Sequence, residues 1–156
     1  MLMMMRTLNT SEKASILHNN YIGNLGYIYN NKPIIVPITY FYNEEQHNII
    51  CYSGNGHKTN ALRKTNAVSL CVSVIDSVNS WESVLVQGIY EEHTGSSAKA
   101  ILHQFSIGVK KIILNQEQRH LDFINQFSSR IYNDDIPIVF TINIEGITGK
   151  RREFQS

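Results

Sequence analysis

The sequence has 156 residues, 42% of them hydrophobic and 17% charged, with a formal net charge of +1. That length suits one domain, residues 1–156, with a core of its own. The near-neutral balance creates no global field that would call for nucleic acid or an anionic membrane as partner. The apolar start, Met1 to Arg6, is too short for a signal region or a membrane span, and no later run approaches about 18 uninterrupted apolar residues. A cytoplasmic protein that does not enter a membrane is expected. Cys51 and Cys71 sit in strand-like runs without metal-ligand spacing, which favours reduced thiols.

Thr10-Ser11-Glu12-Lys13 opens a short helix, with Thr10 or Ser11 as cap and Ile16 and Leu17 on its apolar face. The helix is expected to stop at Asn19-Asn20. Leu25 to Tyr29 reads as a strand, residues 30–33 as a turn, and Ile34 to Tyr42 as a strand rich in β-branched and aromatic residues. Pro37 inside that run cannot donate a ladder hydrogen bond, so it marks an edge, a bulge or a break. A loop at Asn43 to Gln46 leads to the returning strand, His47 to Ser53.

Gly54-Asn55-Gly56 then connects to a helix from His57 to Lys64. Val68 to Ile75 and Trp81 to Glu92 are strands, with a bulge expected at Gly88. Ala98, Ile101, Leu102 and Phe105 repeat at helical spacing over Gly95 to Ile107, and a second helix is expected from Gln116 to Arg130. Ile136 to Ile144 is the last strand. Six strands with early hairpin connections and peripheral α-helices point to a mainly β, antiparallel barrel rather than a parallel βαβ fold.

The segment Ile49 to Leu62 carries the chemistry. A strand delivers a glycine loop, and a helix starts at once with His57-Lys58. A helix N-terminus presents unpaired amides and positive dipole to an anion. Gly54 and Gly56 allow close backbone approach, and Lys58 adds a mobile charge. The same pattern also fits an ordinary strand–loop–helix connection with an exposed histidine and lysine.

Four blocks, taken together, are similar to the flavin-binding split β-barrel family of pyridoxamine-phosphate-oxidase-like and nitroimidazole-reductase-like proteins. They are Tyr21 to Gly26, Lys32 to Tyr40, the loop Cys51 to Lys58, and Ser83 to Gly88 with the closing Thr148-Gly149-Lys150. The resemblance implies a six-stranded split barrel binding FMN, in a homodimer with the flavin at the subunit interface. It places Val36, Pro37, Ile38 and Thr39 along the isoalloxazine ring, offering backbone groups, and Cys51, Tyr52 and Ser53 beside it. It assigns His57 and Lys58 to the phosphate, Ser83 to a polar contact with the cofactor, and Lys150 to an approach from near the C-terminus.

The sequence departs from that pattern at Cys51, where many nitroimidazole-reductase-like members have histidine, and at His57, where arginine is common. The signature by which true pyridoxamine-phosphate oxidases hold their substrate is absent, so that activity is not expected. The resemblance implies an oxidoreductase that takes electrons from a nicotinamide nucleotide and passes them to a small acceptor. With no Gly-x-Gly-x-x-Gly fingerprint, any nicotinamide would bind transiently over the flavin. A non-catalytic flavin carrier or redox sensor, and a haem-binding relative on the same barrel, stand as alternatives.

The catalytic residues are unknown at this level; Tyr40, Tyr52 and Cys51 are candidate proton donors by position alone. Trp81 and the run Tyr40-Phe41-Tyr42 suit packing better than cofactor stacking. The scattered His18, His47, His93, His103 and His120 lack ligand spacing, so no metal is expected. Cys51 and Cys71 either face each other as small buried hydrophobes or lie apart.

Overall fold

A computed structural model describes residues 2–117 and 138–155. In chain order its elements are β1 (Leu2–Thr7), α1 (Thr10–His18), β2 (Ile22–Tyr29), β3 (Lys32–Asn43), β4 (Asn48–Ser53), α2 (His57–Lys64), β5 (Ala67–Ser77), β6 (Ser80–His93), α3 (Gly95–Glu117) and β7 (Ile138–Gln155). Asn30 and Asn31 both take positive φ (50° and 60°), the combination a two-residue hairpin turn demands and asparagine tolerates. That turn sets the β2–β3 register, Tyr29 opposite Lys32 through Ile22 opposite Thr39.

The strands β7, β4, β3, β2, β5 and β6 are antiparallel neighbours in that order, and β6 pairs again with β7. The ring closes as the expected six-stranded barrel. Two of its seams are short, with only Tyr40 to Asn43 of β3 paired to β4 and only Asn24 to Gly26 of β2 paired to β5. β7 is long enough to hold two partners on one edge, β4 along residues 138–143 and β1 along residues 150–155. β1 has no counterpart among the expected strands. Its methionine run lacks the alternation of a half-buried strand, and it forms because β7 extends past the end of β4.

Alternation along each strand sorts the barrel interior. Leu25, Tyr27, Ile38, Tyr40, Ile49, Cys51, Leu70, Val72, Val84, Val86, Phe140 and Ile142 are all buried in one cluster, joined by Ile16 and Leu17 of α1 and by Ala61 and Leu62 of α2. A second cluster lies outside the barrel, where Leu102, Phe105, Val109 and Ile113 of α3 cover Ile50 and Val139.

Three boundaries differ from the sequence reading. Asn9, rather than Thr10 or Ser11, caps α1, and its side chain and that of Glu12 exchange backbone hydrogen bonds as a capping box. α3 runs past Ile107 because Val109 and Ile113 prolong its apolar face, and Gly108 lets the helix seat against the ring of Phe41. The helix expected over Gln116 to Arg130 lies outside the described residues beyond Glu117. β7 continues past Ile144, because β6 keeps pairing with it through Gly146 and Gly149 and β1 pairs with it from Lys150 onward.

The bulge expected at Gly88 is present, a register shift between Gln87 and Gly88 where β6 meets β7. Charged groups tie the outer elements. Glu12 receives Arg6 at 2.6 Å and Arg151 at 2.8 Å, and Arg151 also binds Glu82. Among the described residues, no helix is long and apolar enough to cross a membrane.

Candidate functional site

Tyr40 and Cys51 form the last rung between β3 and β4. Beyond it, among the described residues, β4 continues through Tyr52 and Ser53 paired only with β7, and β3 runs back toward Lys32 paired only with β2. The ladder between the two strands ends at that rung. This leaves an unpaired gap in the wall, the cleft, with Val36–Thr39 on one edge and Tyr52–Ser53 on the other, and β4 leads from it into the glycine loop and α2.

The pleat decides what β3 offers to that cleft. The Tyr40 amide donates to the Tyr21 carbonyl at 2.8 Å, so counting by twos directs the even-numbered backbone groups of β3 toward β2. The backbone groups of Ile35, Pro37 and Thr39 therefore point out of the sheet edge into the cleft. Pro37, with no amide hydrogen, sits where no ladder bond is lost, which explains a proline inside a strand. The side chains of Val36 and Ile38 turn into the barrel, while Pro37 is exposed and Thr39 half-buried.

At the loop, Asn60 makes the first intrahelical bond of α2, to the Gly56 carbonyl at 3.0 Å. The amides of His57, Lys58 and Thr59 come before that bond and are the orphan donors of the helix end. Thr59 is fully buried and fixes the turn. Its hydroxyl accepts from the Gly56 amide and donates to the Gly56 carbonyl, both at 3.0 Å. An added Cβ at Gly54 or Gly56 would meet nothing within 4 Å, and neither residue takes a left-handed φ, Gly56 being extended at φ 175°. The fold itself does not require glycine at either place.

Lys58 is half-buried, its ammonium 3.4 Å from the Ser53 hydroxyl. Burial lowers its pKa from the ordinary lysine value, and the Cys51 thiol partly opposes that shift. His57 is exposed and rests on Tyr29, ring centroids 3.8 Å apart. No acidic residue stands in the first turn of α2. Arg63, one helix face along, is neutralised by Glu92 at 2.9 and 3.1 Å. The result is a cation, a histidine and free amides around open space at one end of a cleft edged by backbone polar groups, an arrangement suited to a phosphorylated, planar ligand.

The family model of pyridoxamine 5'-phosphate oxidase matches residues 9–120, which hold β2 to β6, five of the six barrel strands. The chain belongs to that family. It is 30% identical over 90 residues to an uncharacterised protein of Rhizobium meliloti, a match spanning 58% of each chain. A FAD-binding protein of Mesorhizobium loti has a similar structure, with TM-score 0.74 and 24% identity, covering 98% of this chain and 100% of that one. A Bacteroides thetaiotaomicron protein provisionally assigned to 5-nitroimidazole antibiotic resistance matches with TM-score 0.62 and 17% identity, over 97% of this chain and 90% of that one.

Within this pyridoxamine-phosphate-oxidase-family barrel, the expected site residues fall into three groups. Pro37, Thr39, Tyr52, Ser53, His57 and Lys58 border the cleft, whereas Val36 and Ile38 turn their backbone groups to β2 and their side chains into the barrel, and Cys51 is buried inside it. Ser83 and Lys150 lie on the outer face of β6 and β7, directly paired with each other. Ser83 accepts from the Ser73 hydroxyl at 3.1 Å and meets the Cys71 sulfur at 3.4 Å, and Lys150 is exposed.

Two of the three candidate proton donors are withdrawn. Cys51 is fully buried in the barrel, where desolvation pushes its thiol pKa up. Tyr40 is equally buried, donates its hydroxyl to the Leu17 carbonyl at 2.9 Å, and has its phenol pKa raised by burial. Tyr52 turns outward and packs edge-on against Phe105 of α3, centroids 5.3 Å apart. Cys51 and Cys71 point to opposite faces of the barrel wall and do not meet; both thiols are free.

Sequence reading missed Tyr29 and Thr59. Thr59 carried a usable signal, since a hydroxyl three residues into a helix commonly returns to the cap backbone. Tyr29 carried none, because its approach to His57 is set by how α2 docks under β2.

Proposed function

We propose that the chain is a flavoprotein that holds FMN in the cleft between β3 and β4, and that it works as an oxidoreductase. The observation that carries this reading is the loop at Gly54–Lys58. It has glycines the fold does not need, amides with no intrahelical partner, and a half-buried lysine, all around open space. These residues fit a phosphate monoester. Lys58 and His57 would hold it together with the amides of α2, and the cleft-facing backbone of Ile35, Pro37 and Thr39 would meet the polar edge of the ring system. Membership of the pyridoxamine 5'-phosphate oxidase family and the likeness to a FAD-binding protein support the same reading.

A bound flavin supplies hydride and electron chemistry of its own. The chain contributes position and charge. Lys58 neutralises the phosphate, β3 orients the ring by its edge groups, and α3 with Tyr52 walls the outer side. A nicotinamide nucleotide is the electron donor we propose, and a small molecule the acceptor. Ser83 and Lys150 join the proposal as groups of the outer β6–β7 face, where a second copy would complete the site in a homodimer. The proposed compartment is the cytoplasm, in keeping with two free thiols.

The test is the spectrum of the purified protein followed by anaerobic titration with reduced nicotinamide. Flavin bands that bleach on titration are the expected result. Flavin bands that do not bleach reduce the proposal to a carrier or sensor. A Soret band, or a colourless protein that takes up no added FMN, overturns it.

A further inference from the structure

Asn55, Thr59 and Arg63 recur at every fourth position, which puts them along one face of the glycine loop and α2. The Asn55 side-chain carbonyl gathers the other two, with the Thr59 hydroxyl and the Arg63 guanidinium each 3.4 Å away. Thr59 holds Gly56 at the helix end. Arg63 reaches one residue further, to the middle of the loop.

Arg63 is itself held. Its Nε and Nη2 donate to the Glu92 carboxylate at 2.9 and 3.1 Å, which leaves Nη1 for Asn55 and for the Asn60 carbonyl at 3.2 Å. The planar guanidinium serves both sides at once because its donors form a rigid fork. Glu92 stands near the end of β6 and also accepts from the hydroxyl of Tyr90 at 2.7 Å. Tyr90 is buried in the barrel against Phe140, ring centroids 4.9 Å apart. The Arg63 hydrogen bonds hold the Glu92 carboxyl below its ordinary range, so the pair is ionised at neutral pH. An exposed ion pair contributes little to stability. This one joins a buried phenol of the barrel to the loop of the phosphate seat.

We propose that Arg63 is a positioning residue. Acting through Asn55, and braced by Glu92 and Tyr90, it holds the glycine loop in the shape that receives a phosphate monoester, without touching the phosphate. The inference rests on the flavin reading above and deepens it, since it names what presets the loop.

Affinities for FMN and for riboflavin, which lacks the phosphate, would be measured by flavin fluorescence. The proteins are the intact chain, Arg63→Ala, Asn55→Ala, the double variant of those two, and Glu92→Gln. Asn55 and Arg63 are exposed, and Gln still accepts from Tyr90, so each variant is expected to fold, checked by circular dichroism and urea unfolding. Arg63→Ala should weaken FMN binding about tenfold and leave riboflavin within about twofold. The double variant should lose no more than either single one, because Arg63 works through Asn55. Glu92→Gln separates position from charge. It removes a negative charge near the seat, so charge alone would tighten FMN binding, whereas loss of the brace should weaken it.

Unchanged FMN affinity in Arg63→Ala overturns the inference and leaves the flavin reading standing. So does an equal loss for riboflavin, a multiplied loss in the double variant, or tighter FMN binding in Glu92→Gln. An intact chain that binds FMN no better than riboflavin, or binds neither, removes the phosphate seat and this inference together.

Discussion

The ammonium of Lys58 lies 3.4 Å from the hydroxyl of Ser53, five residues back at the end of β4. The contact folds the lysine over the glycine loop and half-buries it, so the charge is already aimed at the space the loop encloses. Lys58→Ala, alone or with His57→Ala, is expected to lower FMN affinity by roughly ten- to a hundredfold, the usual effect of losing a charge-assisted hydrogen bond. The circular dichroism spectrum should not change. Equal affinity in a folded double variant would dismiss the phosphate seat.

Two glycines should respond in opposite ways to alanine. At Gly88 a Cβ would be driven into the Asn143 carbonyl and the Ile142 side chain, across the β6–β7 bulge. Gly88→Ala should cost about 1–3 kcal/mol or more in urea unfolding, because a backbone group cannot step aside. Gly54→Ala has room and should leave stability unchanged while weakening FMN binding. If both variants were equally stable, the bulge would not be the constraint described above.

The thiols should separate cleanly. Cys51 is buried within the barrel and its thiol pKa is pushed up, whereas Cys71 lies half-exposed beside Ser73 and Ser83. A water-soluble disulfide reagent at neutral pH should label Cys71 alone in the native protein and both residues in denaturant. Rapid labelling of Cys51 without unfolding would contradict the burial.

Glu12 gathers Arg6, Arg151 and the Asn9 amide, and its carboxyl is pulled down from 4.5 to about 2, chiefly by the Arg6 hydrogen bonds. A carboxylate depressed in the folded state adds stability above its unfolded pKa and loses it as pH falls through the folded value. The melting temperature should therefore decline between about pH 4.5 and pH 2 partly through this residue. Glu12→Gln should melt lower at neutral pH and fall less steeply across that window. Parallel curves for the two proteins would show that the network does not contribute.

Much of the barrel was legible because its signals are local. The asparagine turn, the β-branched run after Lys32, the glycine loop before His57 and the bulge at Gly88 are each written in neighbouring residues. Cys51 and Tyr40 fail as proton donors because being near the end of a strand does not reveal which face a side chain takes. A shift of one residue sends it from the cleft to the core. β1 escaped notice for the opposite reason, since its strand state depends on an edge that β7 offers at the other end of the chain.

The sequence alone determined the strand-rich pattern, the single-barrel class and a loop chemically suited to an anion, since these follow from residue type and spacing over a few positions. Only the tertiary structure decided that β3 and β4 part company after Tyr40 and Cys51, that Tyr29 meets His57, and that Ser83 and Lys150 stand on a separate face. Those depend on strand pairing and helix docking between segments far apart in the chain, where the free energy comes from burial and backbone bonding that no short window of residues contains.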